Sequence, residues 1–177
     1  MAAPTYFACA CGYTPVYSAH AEHLHVKIVH VAVADAVAPD EVASGVREEL
    51  ARAGALEGGE SYPRVEIEVL RADETSEGIA AGSAGEGPRA NSGTNGPIAR
   101  GTDVAVVARA WIARGPDASP EADTGDMRAE ETIATDATAR ASSFHRADAL
   151  RAAARRLGHQ LASRIMGLPA ASEDIGE

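Results

Sequence analysis

Residues 62–73 read YPRVEIEVLRAD. Val65, Ile67 and Val69 alternate with Arg64, Glu66 and Glu68, the period-two pattern of a strand with one buried and one wet face. A sheet with one wet face needs cover on the other, so the rest of the chain is read for what supplies it.

Downstream, TDVAVVARAWIAR (102–114) repeats the alternation through Val104, Val106, Ala108, Ala110 and Ile112. MRAEETIATDATAR (127–140) is a weaker strand, and its proximity makes it the antiparallel partner of 102–114. Upstream, HLHVKIVHVAVAD is rich in β-branched residues and predicts a strand over 24–34. Its parity changes midway, from Leu24, Val26 and Ile28 to Val29, Val31 and Val33, so either both faces are covered or a bulge switches them.

Two segments carry helical stripes. From Pro39, Val42, Ala43, Val46, Leu50 and Ala53 fall on one side, Asp40 and Glu41 sit in the first turn, and Gly54 is the stop. The second helix spans Phe144 to Ile165, with Ser143 as N-cap and Gly167 as stop. Its stripe is Ala147, Leu150, Ala154, Leu157, Leu161 and Ile165. The order is β-α-β-β-β-α. The expected fold is α+β: a two-layer sandwich with a four-stranded mixed sheet and two helices on one face.

Three zones are expected: a tether at 1–18, one domain at 19–168, and a disordered acidic tail at 169–177. Gly, Ser, Asn and Pro are dense over 75–101, which predicts a long flexible loop there. Formal net charge is -10 over 177 residues, which argues against nucleic acid as a partner. Arginines nevertheless gather between His145 and Arg164, against Asp148 alone. No run of 18 or more apolar residues is present, so no helix is expected to span a bilayer.

Catalytic patterns are thin, and the chain is not expected to be an enzyme. Glu66 and Glu68 are what the wet face of a strand looks like. His20, His23 and His25 cluster at the first strand; His23 and His25 share a strand face at i, i+2 and could hold a metal, but no convincing third ligand follows, so no metal or other cofactor is expected. Cys9 and Cys11 form a C-x-C with no second pair to complete a tetrahedral site. Cys11 has Ala10 before it, Ala8 at -3 and Gly12 after it, the small-residue surroundings of a lipid-bearing cysteine; Cys9 has Tyr6 at -3 and fits less well. Acyl chains on such a cysteine hold a domain at a membrane surface. On this reading the residues before Cys11 are the remnant of a signal peptide.

Cys11, Gly12, Tyr13, Pro15 and Tyr17, followed by this order of elements, resemble the lipopolysaccharide-assembly lipoproteins, the LptE family. The match is specific over about seven residues and architectural over the rest. The resemblance implies an outer-membrane lipoprotein, anchored on the periplasmic side through Cys11. Such a protein plugs and supports a large β-barrel translocon and helps deliver lipopolysaccharide. Family members contact lipopolysaccharide through basic residues on a loop, and Arg89 and Arg100 are the basic residues available in 75–101. Two other readings stay open: an auxiliary lipoprotein subunit of another lipid-transport system, and a soluble enzyme or metal-binding domain using His20, His23 and His25.

Overall fold

The computed structural model describes residues 22–79, 99–134 and 139–168. The elements are β1 (His25–Val31), α1 (Val37–Arg52), β2 (Arg64–Ile79), β3 (Ala99–Ala113), β4 (Met127–Ala134) and α2 (Ala139–Ile165). The strands form one sheet in the order β1-β2-β3-β4. β1 and β2 pair in parallel because α1 crosses over between them; the other two pairings are antiparallel. Both helices pack on one face, giving the expected two-layer α+β architecture.

The parity change in β1 is a bulge. Register shifts between Ile28 and His30, so Leu24, Val26 and Ile28 face the helices before it, and Val33 packs on the core beyond it. Val29, the extra residue, is 41% exposed. A second shift, between Val69 and Arg71, switches β2 as well. Val65, Ile67 and Val69 are fully buried under the helices, whereas Ala72 and Glu74 beyond the shift are exposed.

Several expected boundaries move. β2 continues to Ile79 and β3 starts at Ala99, so the two ends of the predicted 75–101 loop are paired strand. Ladder hydrogen bonds between the two strands outweigh the poor strand propensity of Ser76, Gly78 and Gly101. Residues 80–98 lie outside the described residues, as do 1–21 and 169–177. β4 stops at Ala134, six residues short of the predicted end at 140. α1 begins at Val37, whose N–H is accepted by Asp35 Oδ1 at 2.6 Å, and Pro39 sits inside the first turn where no intrahelical donor is needed. Ala53 is the exposed C-cap rather than part of the stripe, and Gly54 ends the helix at φ 71°. α2 starts at Ala139, which makes Ser143 an interior residue instead of the N-cap.

The core is aliphatic: Val42, Val46 and Leu50 of α1 and Leu157 and Leu161 of α2 close on Val65, Ile67, Val69 and Val106. Alanines 153, 154 and 162 fill the space between α2 and the sheet. The two helices run parallel and meet at Gly45 and Gly158. A Cβ on Gly158 would collide with the Val42 carbonyl oxygen and lie 2.9 Å from Gly45 Cα. A Cβ on Gly45 would collide with the Arg155 carbonyl oxygen and lie 3.1 Å from Gly158 Cα. Backbone therefore touches backbone at this crossing.

Gly158→Ala is expected to destabilise by about 1–3 kcal/mol through forced separation of the helices, and Gly45→Ala similarly. Gly115→Ala, whose Cβ would meet only Ala118 Cβ at 4.0 Å, is expected to stay within about 0.5 kcal/mol of the parent. Urea midpoints at unchanged m-value check all three.

Candidate functional site

The face of the sheet away from the helices carries no second layer among the described residues. Its side chains come from alternate positions on each strand, and register sets them in rows. Lys27, Glu66 and Trp111 form one row; His30, Glu68 and Arg109 form the next. Arg71 and Arg128 flank Val107, and Asp73 and Glu130 flank Ala105. Val107 and Ala105 are 5% and 1% exposed although they lie on the open face.

Opposite charges stand side by side within the first two rows, and face each other between the last two. Glu66 is the best-connected member. Its Oε1 accepts from Arg64 Nε at 2.9 Å and Nη2 at 2.6 Å, and its Oε2 accepts from Trp111 Nε1 at 3.0 Å. Glu68 accepts from Arg109 Nε at 2.6 Å, and the Arg109 guanidinium lies 5.5 Å from the Trp111 ring centre. Arg64 in turn stacks over Tyr62 at 4.2 Å. Arg71 with Asp73 and Arg128 with Glu130 extend the pairs along the face. The carboxylates read from the sequence as wet-face residues are thus half-buried hydrogen-bond acceptors.

At the base of the sheet, where β1 and β2 begin and β3 ends, loops close over the strand ends. Leu24 N–H donates to Ala55 O at 2.7 Å and Glu57 N–H to Leu24 O at 3.0 Å, so residues 55–57 make one parallel bridge at Leu24, just before β1. Lys27 reaches Glu60 at 3.0 Å. That ammonium, by hydrogen bond and by charge, holds the exposed Glu60 carboxyl below the ordinary glutamate value. The β3–β4 connection doubles back, with Ile112 and Glu121 exchanging backbone hydrogen bonds at 2.7 and 2.9 Å. Thr124 Oγ1 accepts from Ala110 N–H at 3.0 Å beside it.

Arg114 joins the N-terminal entry to this base. Its Nη1 pairs with Glu22, three residues before β1, and its Nε donates to Glu121 at 2.8 Å. The hydrogen bonds to Glu22 and then Glu121 raise its pKa above the ordinary arginine value. Glu22, just before β1, is therefore tied to the end of β3.

Of the residues singled out by sequence, Cys9, Cys11, His20 and Arg89 lie outside the described residues. Arg100 sits in β3 opposite Gly78. His23 is exposed and His25 is buried under the 57–60 loop, Nε2 3.8 Å from Glu57. Among the described residues no three His, Cys, Asp or Glu side chains group as a metal site, and no helix is long and apolar enough to cross a membrane. The arginines of α2 reach carboxylates: Arg146 to Glu74, Arg155 to Glu41, and Arg156 to Glu131 at 2.7 Å. His159 lies in the seam between the helices, 3.1 Å from Glu49 and 3.3 Å from Glu48. Sequence reading missed the Glu66–Trp111 and Glu68–Arg109 pairs. All four residues sit on wet-face parity, but only the β2–β3 register puts them side by side.

The chain's fold is shared with solved bacterial lipoproteins. One from Caulobacter crescentus CB15 has 12% identity and a TM-score of 0.50, over 80% of this chain and 88% of that one. A minor lipoprotein from Acinetobacter baumannii has 12% identity and a TM-score of 0.52, over 84% of this chain and 92% of that one. At this identity the likeness is one of fold. No family model matches the sequence, and no curated protein does.

Glu66→Ala removes the shared acceptor of Arg64 and Trp111 and is expected to cost about 1–3 kcal/mol, with Glu66→Gln costing less because an acceptor remains. Denaturation followed by Trp111 fluorescence reads both. Lys27→Met is expected to return the Glu60 carboxyl toward its ordinary value. A depressed folded-state value means that Glu60's contribution is present above the unfolded value and is lost as pH falls through the lowered one. NMR titration of Glu60 in parent and variant gives the sign directly.

Proposed function

We propose that the chain is a lipid-anchored protein of the bacterial cell envelope, acylated on Cys11, that works by binding rather than catalysis. The observation that carries this is the Cys11-Gly12-Tyr13-x-Pro15-x-Tyr17 run standing ahead of a domain whose fold is that of two bacterial lipoproteins. Stable attachment needs more than one acyl chain, which the diacylglyceryl thioether and amide linkages of a lipid-bearing N-terminal cysteine provide.

Within that class the reading is a lipopolysaccharide-assembly subunit of the outer membrane, anchored on the periplasmic side and partnered by a β-barrel translocon. Its support is the resemblance over residues 11–17 together with the β-α-β-β-β-α order. The geometry supports a binding role in two ways. The ionisable side chains of the sheet face hold one another, as a scaffold's do. Each sheet edge also carries a local guard, on β1 its bulge and on β4 Arg156 donating to Glu130 O at 3.1 Å. Guarded edges favour docking through loops and faces over strand addition.

Expressed in a bacterium from its native upstream sequence, the protein is expected to start at Cys11 and carry a diacylglyceryl mass. Cys11→Ser should move it from the membrane to the soluble fraction, and Cys9→Ser should not. Mass spectrometry of the mature N-terminus decides this, and an unprocessed Met1 overturns the lipoprotein reading. Co-purification with a large outer-membrane β-barrel is expected for the lipopolysaccharide-assembly role; its failure from solubilised membranes leaves an auxiliary lipid-transport subunit. Stoichiometric zinc after chelator-free purification would instead favour the histidine reading.

A further inference from the structure

We infer that His159 is a proton-dependent clasp between α1 and α2, closed in mild acid and released as pH rises, which makes the helix crossing a pH-responsive joint.

The ring stands between two carboxylates of α1. Its Nδ1 lies 3.1 Å from Glu49 Oε2, and its Nε2 lies 3.3 Å from Glu48 Oε2. A neutral imidazole carries one N–H and one lone pair, so it can donate toward only one of these oxygens and turns a lone pair on the other. The imidazolium carries a donor on both nitrogens. The site therefore matches the protonated ring. Water does little to soften a mismatch here, because the Glu49 side chain is 11% exposed and the ring 26%.

The charges around the ring act in the same direction. Glu49 also pairs with Arg52 on its own helix, through the oxygen that faces His159. Arg155, one turn before His159 on α2, holds Glu41 at 2.8 Å and stands 3.8 Å from Glu48. Toward β4, Arg156 is engaged by Glu131 at 2.7 Å, and two turns before the ring Arg151 holds Asp148. Three carboxylates, Glu41, Glu48 and Glu49, thus meet two guanidiniums, Arg52 and Arg155. One proton on His159 balances the set, and its loss leaves a surplus negative charge in the seam.

Position makes this pairing more than a surface contact. His159 follows Gly158 directly, and Glu49 stands one turn after Gly45; these are the glycines whose backbones touch. Close-packed backbone has little slack to absorb a repelled pair, so loss of the proton strains the joint itself. The folded chain binds this proton in preference to the unfolded one. The stability it supplies is present in mild acid and is lost as pH rises through the imidazole range, about 5 to 8.

The test unfolds the full chain in urea at steps across about pH 5 to 8. Parent and His159→Gln are compared at each step, which cancels the contributions of the other histidines. The variant's unfolding constant relative to the parent's is expected to be several-fold larger at the acid end than at the alkaline end, at unchanged m-value. Glu48→Gln, at an exposed position, is expected to flatten the parent's slope. Should His159→Gln fold poorly, 15N NMR of the parent serves instead. The ring is expected to keep both protons to higher pH than exposed His23 does, and the Gly45 and Gly158 amide shifts to move with it.

A ratio that stays constant across the range, or a His159 ring that loses its proton together with His23, overturns the clasp. An unchanged slope in Glu48→Gln overturns the two-carboxylate bracket. Gly45 and Gly158 amides that stay still while the ring titrates overturn its link to the joint.

Discussion

Backbone contact between Gly45 and Gly158 governs how the other layers can be arranged. With no Cβ at either position, α1 and α2 lie close enough for side chains on both flanks of the crossing to engage. Arg155 reaches Glu41 on one side, and His159 reaches Glu48 and Glu49 on the other. Leu50, Leu157 and Leu161 close beneath it. A close pair of parallel helices covers the first six residues of β2 and the strands beside them, and no more. α2 begins well before its crossing with α1, so its first turns continue over the β2–β3 arm alone, where Arg146 holds Glu74. Ala72 and Glu74 stay exposed, beyond the stretch of β2 that both helices cover.

The same arrangement leaves the opposite face of the sheet without a layer, and that face is kept soluble by pairing its charges. Half-buried Glu66 and Glu68 retain their cost of desolvation only because Arg64, Arg109 and Trp111 satisfy them. The arginine content of the chain is largely engaged in this way. Among the arginines with described side chains, Arg47 and Arg164 are those with no carboxylate within ion-pair distance among the described residues. An anionic ligand would therefore have to displace existing pairs on the sheet face, or meet cations elsewhere. This bears on the concentration of arginines seen in α2, which in sequence suggests a basic surface and in the folded chain is neutralised by Glu41, Glu74, Glu131 and Asp148.

The strands and helices were legible because each carries a single periodicity. Val65, Ile67 and Val69 alternate, and Val42, Val46 and Leu50 recur at helical spacing; each set is buried in the folded chain. The β1 parity change was also legible, as one of two alternatives, since a bulge is a local event. Position in the sheet was not, because nothing local says that Glu66 lies beside Trp111 or Glu68 beside Arg109. The strand ends over 75–79 and 99–101 were misread for a related reason. Gly and Ser disfavour strand intrinsically, but a long antiparallel ladder supplies partners from far along the chain. The Gly45–Gly158 crossing left no trace in the apolar stripes, since what matters there is the absent side chain.

For the candidate site the division is sharper. The cysteine signal is purely local and sits at residues 9–12, so sequence contains all of it. The structure adds what stands just before β1: Glu22 bound to Arg114, and Arg114 bound to Glu121. Two carboxylates on one guanidinium tie Glu22 to the β3–β4 connection through charge-assisted hydrogen bonds. Arg114 thus links the residues just before β1 to the end of β3 and to the β3–β4 connection, a link that no local pattern in the sequence shows.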